Sequence, residues 1–300
     1  MLKIAWSKIY NHPLPEGHRF PMDKYDLLPE QLLYEGSVSK ENFFEPRKLT
    51  EPEILSTHDV DYWNKLKNLN LSRQEERRSG FPISSLIVER EITINAGTIQ
   101  AANYALDYGV AMNIAGGTHH AYTDRAEGFC FLNDIAIAAN YLLDNKKASR
   151  ILVVDLDVHQ GNGTAQIFQS QDYVFTFSMH GEKNYPLHKE RSDLDIGLPD
   201  GTDDGAYLKL LDKHLKQLMQ QVEPDFIFFQ SGVDVLTTDK LGRLGLTIEG
   251  CKKRDEMVLK VAFENEVPLV ACMGGGYSER IIDIVEAHAN TYRLAQNIYF

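Results

Sequence analysis

The stretch "RILVVDLDVHQGNG" occupies residues 150–163. Its first half is an almost unbroken apolar run, and its second half carries two aspartates, a histidine and two glycines. A strand with one face in water alternates apolar and polar residues. A strand buried on both faces does not, so an unbroken run of Ile, Leu and Val predicts a central strand of a parallel sheet. Four further runs have the same character: "GVAMNIA" (109–115), "YVFTFSMH" (173–180), "DFIFFQSGV" (225–233) and "VPLVACMGG" (267–275).

Between these runs lie segments with apolar residues three and four positions apart, the spacing of one helix face. They cover 92–108, 133–145, 204–222 and 247–265. Strands alternating with helices imply an α/β domain, with a mostly parallel central sheet flanked by helices on both faces. The first ninety residues are less regular. "KIAWS" reads as a strand, and the rest as helical pieces and Pro-containing loops that line one edge of a site. No linker or repeat divides the chain, so 1–300 is expected to be a single domain.

In such sheets ligands bind beyond the carboxyl ends of the strands. Four runs end there in unusual polar residues: "GGTHHA", "DLDVHQGNG", "SGVDV" and "GGGY". Asp155, Asp157 and His159 are spaced by two, and share a face if the strand continues through them. Adding Asp234 from another strand end gives an Asp, His, Asp shell. Three protein ligands with a fourth position open is the pattern of a catalytic zinc site, and a carboxylate-rich shell also suits iron(II) or manganese.

His119 and His120 then read as proton-handling groups. Adjacent residues cannot easily reach one metal together, but both can face one water. Each needs a partner to set its tautomer, and Asp155 is available for His119 and Asn162 for His120. Tyr277, after three glycines, could donate a hydrogen bond to a carbonyl and to the oxyanion it becomes. The inventory points to amide or ester hydrolysis at one metal.

Bulk composition narrows the partners. Lys plus Arg number 31 against 43 Asp plus Glu, a formal net charge of −12, which disfavours direct nucleic-acid binding. The one basic stretch, "RQEERR" at 73–78, is interleaved with glutamate and reads as a solvated loop or helix face. Cys130, Cys251 and Cys272 form no C-x-x-C and no disulfide framework. Neither a signal peptide nor a membrane span is expected, and a cytoplasmic location is the default.

At these residues the chain resembles the zinc-dependent histone deacetylase family on the arginase/deacetylase fold, most closely its class IV branch and bacterial relatives. The resemblance rests on "GGTHHA", "DRAEGFCFLND", "VDLDVHQGNG", "FSMH", "GTDDGAYL", "SGVDVLTTDKLGRL" and "GGGY", in family order. It covers 92–290, and "SKIYNHPLPEGHRFPMDKY" carries it to the N-terminus. It implies zinc on Asp157, His159 and Asp234, catalysis by His119, His120 and Tyr277, and support from Asp155 and Asn162. It also implies structural potassium: an inner site at Asp155, Asp157, His159, Ser178 and Met179, and an outer one at the carbonyls of Phe168 and Val174. Gly128, Phe129, Tyr185 and Leu241 would line the channel for an acyl-lysine side chain. Many class I members carry aspartate where this chain has Asn162. The amide removes a negative charge beside His120 and so favours the neutral imidazole.

The expected activity is therefore protein lysine deacetylation or deacylation, with the class IV likeness raising long-chain acyl groups as substrates. Hydrolysis of acetylpolyamines or related small amides is the alternative, and the acidic balance gives it slight support. A two-metal ureohydrolase on the same fold would need more carboxylates than Asp234 and Gly161 provide. A catalytically silent binding module is opposed by the intact site.

Overall fold

The apolar runs meet in one sheet. In the computed structural model, which describes residues 1–300, the strands are β1 (Lys3–Ala5), β2 (Phe43–Phe44), β3 (Val110–Asn113), β4 (Ile151–Asp155), β5 (Val174–Gly181), β6 (Leu194–Leu198), β7 (Phe226–Gln230) and β8 (Leu269–Cys272). Their order is β2-β1-β3-β8-β7-β4-β5-β6, and every neighbouring pair is parallel. Strands β3, β4, β7 and β8 are buried at every position, as runs without alternation require. Strand β6 lies at the sheet edge and is partly exposed. Its mixed sequence "LDIGL" carries no continuous apolar run, so no strand is expected there from the sequence. The two-residue β2 is too short to leave a pattern.

Helix starts follow side-chain caps. Ser84, Asn133, Asp203 and Thr247 each accept a backbone N–H from the first turn of the helices Ser85–Tyr108, Asp134–Asp144, Asp204–Val222 and Ile248–Glu264. These caps satisfy amides that the helix itself leaves free. The first helix begins seven residues before its expected start at 92, where Ser84 caps it. A final helix, Ile281–Tyr299, adds to the four expected ones. The basic stretch forms the short helix Arg73–Ser79, closed by Gly80 in a left-handed conformation. No helix is long and apolar enough to cross a membrane.

The strand through "RILVVDLDVH" stops at Asp155, so Asp157 and His159 belong to the loop beyond it. The backbone leaves the ladder because side chains offer it other partners. Asp157 N–H donates to Asp155 Oδ1 (3.2 Å) and His159 N–H to Asp157 Oδ1 (3.0 Å), the local bonding by which aspartate initiates turns.

Beneath this loop lies Arg254, fully buried on the helix Ile248–Glu264. Its guanidinium donates to the carbonyls of Leu156 (3.0 Å), Gly232 (2.6 Å) and Ser231 (3.2 Å). Asp255 pairs with it at 2.7 Å and is held in turn by Thr291 Oγ1 at 2.6 Å. One side chain thus ties together the loops that follow β4 and β7. Removing one partner of a buried ion pair leaves a bare charge and costs about 3–5 kcal/mol. Asp255→Asn is accordingly expected to lose about that much stability in urea denaturation, whereas Lys216→Ala, which breaks an exposed pair with Asp212, should change it by less than about 0.5 kcal/mol.

Candidate active site

The loop after β3 is fastened before its histidines begin. Gly117 N–H, Thr118 N–H and Thr118 Oγ1 all donate to Asp134 Oδ1 at 2.8–2.9 Å. Thr98 Oγ1 donates to the other oxygen of the same carboxylate at 2.6 Å. Asp134 opens its helix, where a negative charge is favoured, so helix and loop hold each other. His119 and His120 emerge buried, with ring centroids 4.1 Å apart.

The two imidazoles have different partners. His119 Nδ1 lies 2.7 Å from Asp155 Oδ2, and His120 Nδ1 lies 2.6 Å from Asn162 Oδ1. Burial disfavours a charged His119, but Asp155 and Asp157 together outweigh it and raise its pKa to about 9. For His120, burial acts first, His119 and His159 add repulsion, and the pKa falls well below 6.5. The tautomer of His120 has a structural source that the sequence does not disclose. Asn162 Nδ2 donates to Glu127 Oε1 (3.0 Å) and to the Tyr122 hydroxyl (2.9 Å). A carboxylate can only accept, so Glu127 fixes the amide with its oxygen toward His120. That oxygen accepts the Nδ1 proton and leaves Nε2 with a free lone pair.

Asp157, His159 and Asp234 are brought together from two strand ends. His159 Nδ1 is 3.0 Å from Asp157 Oδ1 and 3.1 Å from Asp234 Oδ2, and one donor atom from each of the three lies within 4.8 Å of the others. All three are buried, and no other trio of His, Cys, Asp or Glu in the chain is so grouped. Burial and the adjacent Asp157 charge push Asp234 up to about 7. The donor set fits a divalent cation. Ligands at about 2.1 Å around a tetrahedral ion sit about 3.4 Å apart, close to the spacings here. The cradle also depends on absent side chains: a Cβ on Gly275 would stand 2.1 Å from Asp234 Oδ2 and 2.8 Å from Asp157 Oδ2.

Tyr277 follows those glycines, its backbone fixed by donation to Asp239 Oδ2 at 2.6 Å. Burial and the charges of Asp234 and Asp157 hold its pKa well above 10, so the phenol keeps its proton. A cavity of about 420 Å³ leads inward past Gly128, Phe129, Tyr185, Leu241 and Tyr277 to His120 and His159. All the expected channel residues therefore meet at one opening. Inward, a smaller chamber of about 40 Å³ takes in His119, His120, Asp157, His159 and Tyr277 and reaches Phe20, Tyr25, Arg90 and the 115–118 segment. The sequence predicts the N-terminal residues only as one edge of a site, without singling out these three. Phe129 has φ 68°, uncommon for a residue with a side chain. Its N–H donates to Ser79 O at 2.7 Å, which holds the strained wall in place.

Of the residues expected at potassium sites, Asp155 and Ser178 are register partners on β4 and β5, and Met179 follows Ser178. Ser178 Oγ contacts His180 Nδ1 at 2.9 Å. Phe168 and Val174 flank the turn entering β5, at the opposite end of that strand.

At the ends of these parallel strands a buried Asp–His–Asp trio that could hold a metal ion adjoins two differently partnered imidazoles and a phenol, a set of groups suited to hydrolysis. Comparison with known proteins makes this specific. The histone deacetylase domain matches residues 18–292. An uncharacterized protein of Picosynechococcus sp. is 44% identical over 296 residues, 99% of both chains. Histone deacetylase 2 of Arabidopsis thaliana is 30% identical over 277 residues, 88% of this chain and 72% of its own. The crystal structure of an HDAC homolog from Aquifex aeolicus matches with a TM-score of 0.84 at 26% identity, covering 98% of this chain and 84% of that one. The chain belongs to the histone deacetylase family.

Titration calorimetry of chelator-stripped protein with Zn2+ should give one tight site per chain. Altering a residue that merely supports a ligand costs 10–100-fold in affinity, so Asp234→Asn should weaken binding by more than about 100-fold. Two ions per chain, or an unchanged affinity in the variant, would place the metal elsewhere.

Proposed function

We propose that the chain hydrolyses the amide bond of acyl-lysine in proteins or peptides. The observation that carries this reading is the different partnering of two adjacent imidazoles, one on a carboxylate and one on an amide, beside a buried carboxylate–imidazole trio at the foot of an opening. In this reading Asp157, His159 and Asp234 hold the ion, with zinc preferred and iron(II) an alternative occupant. When bound, the ion supplies Lewis acidity for the amide carbonyl and for the attacking water.

The protein's own groups do the remaining work. Phe129 and Tyr185 flank the lysine tether and exclude water from it. His120, neutral and with Nε2 free, takes the proton of the attacking water and returns it to the departing amine. His119 keeps its proton against Asp155, and its positive charge lies beside the developing negative charge. Tyr277 donates its hydroxyl proton as a hydrogen bond to the carbonyl oxygen as that oxygen becomes anionic. Potassium at Asp155, Asp157, His159, Ser178 and Met179, with a second ion at Phe168 and Val174, completes the family-like reading. Both positions are structural, outside the reacting atoms.

The inner chamber bears on acyl length. A water needs about 10–15 Å³ of such volume, so 40 Å³ holds about three. Because that space also faces the trio and both histidines, it leaves room for no more than a short acyl group such as acetyl, and a long acyl chain would require the walls to move. The acetylpolyamine alternative gains nothing from the opening, where no carboxylate lines the cavity to receive a second ammonium.

Two measurements test the reading. Zinc-loaded protein should release acetate from acetyl-lysine peptides faster than longer acids from the corresponding acyl peptides. Tyr277→Phe should lower kcat about 10²–10³-fold with zinc still bound. Absence of turnover on every acyl peptide would sink the proposal. Asn162→Asp places a carboxylate beside His120 and raises its pKa. The neutral base is lost as pH falls through that pKa, so the acid limb of the kcat/KM profile should move to higher pH by about one unit or more. An unmoved limb would remove His120 from the role of base.

A further inference from the structure

The opening carries a charge that the rest of the molecule does not. In a chain with twelve more acidic than basic residues, the residues lining the 420 Å³ cavity include Arg19, Arg77 and Arg78 and no aspartate or glutamate. All three arginines are exposed. None of them is ion-paired, whereas Lys48, Lys65, Lys67, Arg150, Lys216 and Arg243 pair with acidic side chains at 2.5–3.3 Å. The nearby glutamates are committed otherwise: Glu75 binds Lys65 and the Ser72 amide, and Glu76 accepts from the Ile83 amide.

The arginines are also fixed relative to the channel. Gly128 N–H donates to Arg78 O (3.2 Å) and Phe129 N–H to Ser79 O (2.7 Å), so the short helix that ends in Arg77 and Arg78 is bonded directly to the channel wall. A Cβ on Gly80 would meet the Phe129 ring at 2.7 Å, which shows how closely the two segments approach. On the other side His18 Nε2 contacts Gly80 O at 2.9 Å, and the Arg19 guanidinium lies over the Phe129 ring, 5.1 Å from its centroid. Segments distant in sequence thus present unpaired guanidiniums around one hole whose depth holds the catalytic groups.

We infer that Arg19, Arg77 and Arg78 form an anion-selecting rim, and that the preferred substrate is an acyl-lysine flanked by aspartate or glutamate side chains. The inference rests on the acyl-lysine reading above and adds the sequence context of the lysine. Guanidinium groups bind carboxylates in a planar, paired geometry. A neutral acyl-lysine side chain entering the channel leaves the neighbouring side chains of its peptide at the rim, where carboxylates are attracted and lysines or distal ammonium groups are repelled. The same chemistry could receive the free α-carboxylate of a single acyl-lysine, and the test separates these two sources.

Three acetyl-lysine peptides of one length, flanked by Glu, Gln or Lys, would be compared with free Nε-acetyl-lysine and its carboxamide. kcat/KM is measured at low salt and in about 0.5 M NaCl, and affinity is measured separately with peptides carrying a neutral fluorophore. The Glu-flanked peptide should exceed the Lys-flanked one by about tenfold in kcat/KM, mainly through KM, and by a similar factor in affinity, since each exposed pair contributes modestly. High salt should compress the ratio. The double variant Arg77→Glu/Arg78→Glu should invert it, and Arg77→Gln/Arg78→Gln should bring it near unity. Because the reading is a ratio within each protein, an overall loss of turnover does not blur it. Equal values for Glu and Lys flanks in the unaltered protein, or a ratio indifferent to charge reversal, overturns the inference. So does a gain confined to free acetyl-lysine over its carboxamide, which would make the substrate a small acid. If the Gln-flanked peptide is not hydrolysed, the acyl-lysine reading itself fails, and the affinity ratio still decides whether the rim selects anions.

Discussion

A buried guanidinium underlies the geometry of this site. Arg254 binds the carbonyls of Leu156, Ser231 and Gly232, immediately before Asp157 and within three residues of Asp234. The loops after β4 and β7 carry like charges toward each other, and backbone amides hold those charges in place: Val158 N–H donates to Asp234 Oδ1 and Gly275 N–H to Asp157 Oδ2. Without Arg254, the carbonyls it binds would lose the donor that satisfies them in a buried setting. Asp255 neutralises the cation, and Thr291 on the last helix orients Asp255. Arg254 therefore links two helices to the two loops that carry the Asp–His–Asp trio.

The tandem histidines show how little covalent difference is needed to separate two identical groups. Adjacent in sequence and equally buried, they differ in what faces Nδ1. A carboxylate holds a proton on His119. An amide, itself held by Glu127, brings no such charge to His120, and burial with the charges of His119 and His159 holds its pKa low. The first imidazole thus helps set the second, in the manner of titratable pairs whose surroundings drive their pKa values apart. Burial is the largest cause of the low His120 pKa, followed by His119 and His159, and the hydrogen bond to Asn162 acts the other way, raising it.

The parallel sheet, its central strands and its four principal helices were legible because an unbroken apolar run suits only a doubly buried strand, and three-to-four spacing only a helix face. The trio, the tandem histidines and Tyr277 were legible because their motifs end consecutive strands, and strand ends of one sheet must meet. Three features were not. Edge strand β6 alternates over only five residues, Leu194–Leu198, too short a stretch to stand out beside the continuous apolar runs. The end of β4 at Asp155 depends on aspartate side chains capturing amides, which competes with strand continuation at a level no periodicity records. Glu127, Phe20, Tyr25, Arg90 and the rim arginines reach the site through loops and short helices whose approach is set by tertiary contacts such as Phe129 N–H to Ser79 O. "RQEERR" is a solvated helix, as its interleaved charges suggest. Which cavity that helix adjoins is a fact of the fold.

The division of labour follows the same line. Groups that would do chemistry sit on loops anchored by the central strands, where a displacement is resisted from both faces of the sheet. The rim arginines come from the irregular first ninety residues, the segment of Arg77 and Arg78 being bonded to the channel wall at Phe129 and Gly128, and their side chains are exposed. Substitutions at Arg77 or Arg78 therefore change the field at the opening without passing through the hydrogen bonds that set His119 and His120. The rim arginines are exposed and take no part in the core, whereas their neighbours Phe20 and Phe81 are buried in it. The strained φ of Phe129 marks the junction between that rim and the groups that would do the chemistry.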